Sequence, residues 1–182
     1  MRTGEYFVNM SIKGLASFGT GSASHLAGEL FKFMAGIDMV HVPYRGGAPM
    51  TADLVGGQVN VGFDVMVTAL PQIRSGKLRA LGVLGARRFE LLPDIQAVAE
   101  TVPGYEASTW AGMGAPRGTP PDIIAKLNRE VSEGLAQPDI RARLADVGTV
   151  PLVAGQAQFK AYIAAEAAKW DKVVKTAGIK PQ

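Results

Sequence analysis

"FGTGSASH", residues 18–25, decides how this chain is read. It stands between an apolar run, "IKGLASF" (12–18), and an apolar-periodic stretch, "HLAGELFKFM" (25–34), so the chain leaves a strand and enters a helix through a small, donor-rich loop. Leu26, Leu30, Phe33 and Met34 keep helical spacing, and Gly36 is a plausible stop. The first N–H groups of a helix have no intrahelical partner and the helix dipole places partial positive charge there; Thr20, Ser22 and Ser24 add hydroxyls. A carboxylate fits that description. Ser22 or Ser24 can equally cap the helix, a contribution of ~1 kcal/mol, and spacing alone favours the cap. The loop is no dinucleotide fingerprint, because Ser24 stands where a third glycine is needed, and no P-loop, because the Gly-Lys-Ser/Thr ending is missing.

Working outward, the strand-loop-helix unit repeats. "MVHVPY" (39–44) reads as a strand, "RGGAP" as a turn, and Pro49 opens a helix that ends at Gly56 and Gly57. "VNVGFDV" (59–65), the helical "ALPQIRSG" (69–76) and "LRALGVLG" (78–85) continue the alternation, which predicts a largely parallel sheet covered on both faces. Asp64 falls at the C-terminal end of its strand, the end where open α/β sheets gather ligands, although a helix cap explains it equally well. Tyr44 and Arg45 stand at another such crossing, where a solvated surface turn is the simpler account.

"ASTWAGMGAPRGTPP" (107–121), an apolar segment that ends in a Gly/Pro-rich bend, changes the character of the chain and divides it into an α/β lobe, 11–105, and a mainly helical part, 106–182. In the latter, "TPPDIIAKLNREVSEGLAQ" takes Thr119 as N-cap and aligns Ile124, Leu127, Val131 and Leu135. "PDIRARLADVG" buries Ile140, Leu144 and Val147, and "GQAQFKAYIAAEAAKWDKVVKTAG" carries Phe159, Ile163, Glu166, Trp170 and Val174 along one stripe. Amphipathic helices need a surface to cover, and only "ASTWAGMGAP" (107–116) and "TVPLV" (149–153) offer strands there.

Composition narrows the chemistry. A hydrophobic content of 47% with 19% charged residues describes a globular protein. Nineteen interleaved basic and 16 acidic side chains, net +3, suit small anions and make no nucleic-acid footprint. There is no cysteine, and the two histidines, His25 and His41, read as packing residues, so neither a metal site nor a cofactor is expected. Trp110 and Trp170 also read as packing residues. No nucleophile and base stand together in a known pattern, which favours binding over catalysis. The start, "MRTGEYFVNM", does not read as a signal peptide, and no run approaches the ~20 apolar residues of a membrane span.

The blocks "GSASHLAGELFKFMAG", "MVHVPYRGGAPMTADLVGGQV", "LPQIRSGKLRALGV", "LPDIQAVAETVPGYEASTWAG", "APRGTPPDIIAKLNREV" and "EAAKWDKVVKTAGIK", in this order, resemble the solute receptors of tripartite tricarboxylate transporters, also called Bug receptors. The resemblance runs from about residue 13 to the end. It implies an α/β, type II periplasmic-binding-protein-like fold that closes on a small organic carboxylate and hands it to membrane permease subunits. Here that means one complete lobe and the C-terminal helical part of an incomplete first lobe. It further implies that Gly19, Thr20, Gly21, Ser22, Ala23 and Ser24 hold a ligand carboxylate, that Asp64 borders the ligand, and that Tyr44 and Arg45 are cleft neighbours. By the same resemblance the protein is periplasmic and not an enzyme. Roughly a hundred residues of a first lobe, with the other carboxylate grip, are expected to be absent, which leaves the C-terminal helices exposed and prone to self-association. The alternatives are a ligand-sensing lobe of a cytoplasmic regulator, or a truncated remnant without tight binding.

Overall fold

The computed structural model describes residues 14–179. At its centre lies a three-stranded parallel sheet in the order β2-β1-β3, formed by β1 (Leu15–Ser17), β2 (His41–Pro43) and β3 (Val61–Gly62). Leu15 pairs with His41 on one side and Val61 on the other, and each following residue keeps that register. Each strand runs into a helix: α1 (Ala23–Ala35), α2 (Gly47–Val55) and α3 (Met66–Arg74).

Alternation along β1 divides the core, since neighbouring side chains on a strand face opposite sides. Leu15 points to α1 and packs with Ala27, Phe63, Tyr105 and Ala107, whereas Ala16 points to α2 and packs with Met50 and Val59. The sheet is thus covered on both faces, as the alternation of strands and helices predicts. Gly28 lets α1 sit close on the sheet, because a Cβ there would come within 2.4 Å of Leu15 Cδ2. The Tyr105 hydroxyl donates to the Ala27 carbonyl at 3.0 Å and locks the chain after residue 100 onto α1.

Four expectations change. The run 78–85 is not a strand of this sheet: it makes one parallel bridge, Val83 with Ala97, and Leu84 accepts the Ala107 N–H at 2.8 Å. Residues 107–116 and 149–153 form no strand, because among the described residues no neighbouring strand offers them a ladder. The fourth helix, α4 (Pro121–Ala136), begins one residue later than the Thr119 cap requires; Pro120 is the cap and the Thr119 hydroxyl closes the preceding turn on Pro116. Helices α5 (Pro138–Asp146) and α6 (Gln156–Thr176) stand where the periodicity puts them, but neither contains a buried residue, and Val147, expected in a core, is exposed. Trp170 of α6 packs against the α1 side of the core, and Trp110 meets Phe159 and Tyr162 edge-on. The "MRTGEYFVNM" start lies outside the described residues.

Candidate functional site

Parallel strands that each lead directly into a helix bring three helix N-termini to one edge of the sheet. That edge, at the strand C-termini, carries the loop 18–22 after β1, Tyr44–Gly46 after β2 and Phe63–Val65 after β3. Tyr44 N–H bonds Ser17 O at 3.0 Å and Gly46 N–H bonds Phe18 O at 3.0 Å, so the first two loops remain stitched together beyond the strands.

Glycine sets the shape of the first loop. Gly19 and Gly21 have φ of +136° and +77°, in the region that L side chains avoid, and a Cβ on Gly19 would approach Tyr44 O to 3.1 Å. Most of the loop's polar groups satisfy one another. Ser22 is the N-cap of α1: its Oγ accepts the His25 N–H at 3.3 Å and donates to Gly19 O at 2.7 Å. Ser24 Oγ, buried, accepts Phe18 N–H at 2.8 Å. Gly19 N–H bonds Ser17 Oγ at 3.2 Å, Gly21 N–H bonds His25 Nδ1 at 3.0 Å and Ser22 N–H bonds Gly19 O at 3.1 Å. What remains without a partner among the described residues is the N–H of Thr20, Ala23 and Ser24, at the positive end of α1, with Thr20 and Ala23 exposed. The cap and an anion seat are therefore not alternatives; the cap shapes the loop that leaves these donors free.

Asp64 behaves differently from a water-facing ligand. Its Oδ1 accepts the Val65 N–H at 2.7 Å and the Thr68 hydroxyl, tying β3 to the first turn of α3. Its Oδ2 and Thr51 Oγ1 are both buried without a hydrogen-bond partner. Burial pushes the Asp64 carboxyl above its ordinary value, and the hydrogen bonds from Thr68 and Val65 temper that rise. Tyr44 donates to Asp53 Oδ2 of α2 at 2.9 Å, and Arg45 is exposed at the rim. The sequence thus brings the loop, Tyr44, Arg45 and Asp64 to one edge, while Asp64 and Tyr44 turn to neighbouring helices.

Beneath the loop lies a cluster that spacing did not disclose. The rings of His25 and His41 stack 3.8 Å apart at 13°, and His41 Nε2 is 2.6 Å from Ser17 Oγ. Only the β1–β2 register reveals this, since it sets His41 beside Leu15 and so within diagonal reach of Ser17. A separate groove of about 540 Å³, between the C-terminal half of α1 and α6, is lined by Phe33, Met34, Ile37, Lys169 and Lys172 and does not include the loop. No group of three or more metal-ligating side chains occurs among the described residues, and no helix there is long and apolar enough to cross a membrane.

Comparison with known proteins gives this geometry its context. Residues 9–179 match the model of the tripartite tricarboxylate transporter family receptor. Protein BugT of Bordetella pertussis is 38% identical over 161 residues, covering 88% of this chain and 49% of that protein. A UPF0065 protein from the tcbD-tcbE intergenic region of Pseudomonas sp. (strain P51) is 34% identical, covering 87% of this chain and 48% of its own. Among solved structures, Rpa4515 of R. palustris with adipate superposes with a TM-score of 0.87 at 38% identity, over 93% of this chain and 57% of that one. MatC from Rhodopseudomonas palustris with bound malate gives 0.80 at 36%, over 89% and 56%. The periplasmic binding protein BugD gives 0.84 at 34%, over 93% and 58%. The chain spans about half the length of these two relatives. It belongs to the tripartite tricarboxylate transporter receptor family and has the α/β fold of these periplasmic binding proteins over the half that it spans.

Proposed function

We propose that this chain carries one carboxylate grip of a solute receptor, with the loop Gly19–Ser24 as the seat, acting in the periplasm with the permease of a tripartite transporter. The observation that supports this best is the group of unpartnered N–H donors of Thr20, Ala23 and Ser24, fixed by the Ser22 cap at the N-terminus of α1. A carboxylate has the acceptor geometry and charge for that group. The relatives solved with adipate and malate carry such acids. Lobes 11–105 and 106–182 remain the proposed division, with Asp64 bordering the ligand by fixing the start of α3 rather than through an exposed oxygen.

Calorimetric titration of the full chain with adipate and with malate, against their uncharged diamides, tests the reading. A single grip should bind the acids in about the millimolar range, with Kd rising at high salt, and ignore the diamides. Equal binding of acid and diamide, or no heat with either acid at about 10 mM, would sink it. The uncovered faces of α4 and α6 favour a second reading, a lobe without tight binding, and the absence of heat is what it expects.

A further inference from the structure

The loop rests on a buried imidazole, His25, and a half-buried one, His41, that the proposed function leaves without a role. His25 is 5% exposed, and its Nδ1 accepts the Gly21 N–H at 3.0 Å while its Nε2 lies 3.6 Å from Glu29 Oε1. A ring nitrogen that accepts an N–H carries a lone pair, so His25 is neutral, with its proton on Nε2 toward Glu29. His41 stacks on it and reaches Ser17 Oγ, the group that accepts the Gly19 N–H. The two imidazoles thus underlie both glycines that shape the loop.

We propose that His25 is a positioning residue for the carboxylate seat: its neutral ring, backed by His41, holds Gly21 in place, and its protonation releases the loop and with it the grip on the anion. The proposal deepens the carboxylate reading and rests on it for its second half.

The reason is local. A proton on Nδ1 would set an N–H against the Gly21 N–H, two donors at a distance made for one hydrogen bond. The loop is the softer partner, since nothing lies within 4 Å of where a Gly21 Cβ would stand. His41 can gain a proton without that conflict, because Ser17 Oγ then accepts from Nε2 and turns its own hydrogen to Gly19 O, 3.3 Å away. Among the groups facing the pair, Glu29 alone favours the charged form; Lys32, bonded to Glu29 at 3.0 Å, opposes it on both rings, and His25 opposes it on His41. Across the α1–α6 groove Glu106, Lys169 and Lys172 face the same Glu29–Lys32 pair. Burial is the largest influence on both rings and holds them below the ordinary histidine value of 6.5. A lowered folded-state value means that the loop's stabilisation is complete above about pH 6.5 and is lost as pH falls through the folded value.

The test uses the full chain without ligand. Hydrogen exchange read by mass spectrometry follows peptide 18–25 from about pH 8 to about pH 5, corrected for intrinsic exchange, while exchange at the imidazole C2–H gives the titration of each histidine. Protection at Gly19 and Gly21 is expected to fall in step with His25 protonation, by about tenfold for each unit by which folding lowers its pKa. His25→Asn, whose carboxamide oxygen replaces Nδ1 as acceptor but gains no proton, should show flat protection. His41→Gln should move the His25 midpoint upward, because the opposing ring is gone. The wild-type coincidence of the two titrations suffices if either variant fails to fold. Flat wild-type protection, a fall at a pH where His25 does not titrate, or the same fall in His25→Asn would overturn the proposal. Adipate titrated over the same range separates the two readings. Its affinity should drop with the His25 midpoint, and affinity that holds or rises as protection falls contradicts the released grip. Absence of adipate binding at every pH counts against the carboxylate seat while leaving the latch on Gly21 to stand on exchange alone.

Discussion

Residues 14–107 and 108–179 are similar in apolar patterning and opposite in what that patterning achieves. Every buried residue among those described lies in the first stretch, and none lies in the second. In the first, a short parallel sheet receives α1 and α2 on its two faces, so Leu15, Ala16, Met50 and Tyr105 are almost wholly removed from water. In the second, the stripe expected on α4 is present as a pattern but is not buried, with Leu127 43% and Val131 36% exposed and Ile124 and Leu135 half-buried. Amphipathic spacing specifies a face; whether that face is buried depends on a partner, and only the first stretch contains its own.

Three substitutions would break or sharpen this contrast. The largest effect is expected at Leu15, where Leu15→Ala removes a fully buried side chain that fills the space over Gly28, at a cost of about 2–5 kcal/mol in urea unfolding. A loss under about 1 kcal/mol would mean that the sheet core is not the stabilising centre. Next, Ser22→Ala deletes the cap of α1 and the bond to Gly19 O, and should cost about 1 kcal/mol while weakening adipate binding more than it weakens the fold. An unchanged affinity would detach the cap from the seat. Smallest in stability is Leu127→Ser on α4, expected within about 0.5 kcal/mol; the wild-type chain is expected to self-associate in sedimentation and to bind an apolar dye, and this substitution should reduce both. A wild-type chain that sediments as a monomer without binding dye would show that the face is covered.

Legibility followed the same division. The loop, the strand-helix alternation and the edge on which Tyr44, Arg45 and Asp64 gather were readable because glycine at positive φ, cap residues and apolar periodicity are local signals. The run 78–85 misled because its apolar alternation satisfies a strand pattern, whereas pairing is a property of neighbours, and Val83 alone finds one. Asp64 was placed at the right edge, but the turn of its carboxylate toward Thr68 and its burial beside Thr51 depend on how α2 and α3 pack. The His25–His41 stack was invisible for the same reason, since the two rings stand 16 positions apart in the chain and only the β1–β2 register and the seating of α1 bring them to 3.8 Å.

The most direct measurement is hydrogen exchange across the full chain with and without saturating adipate. The account expects slowed exchange confined to residues 18–26, with α4, α5 and α6 unchanged, because the donors that a carboxylate needs stand at Thr20, Ala23 and Ser24. Protection gained over α4 to α6 while the loop stays as it was would place the ligand on the uncovered helices and contradict it.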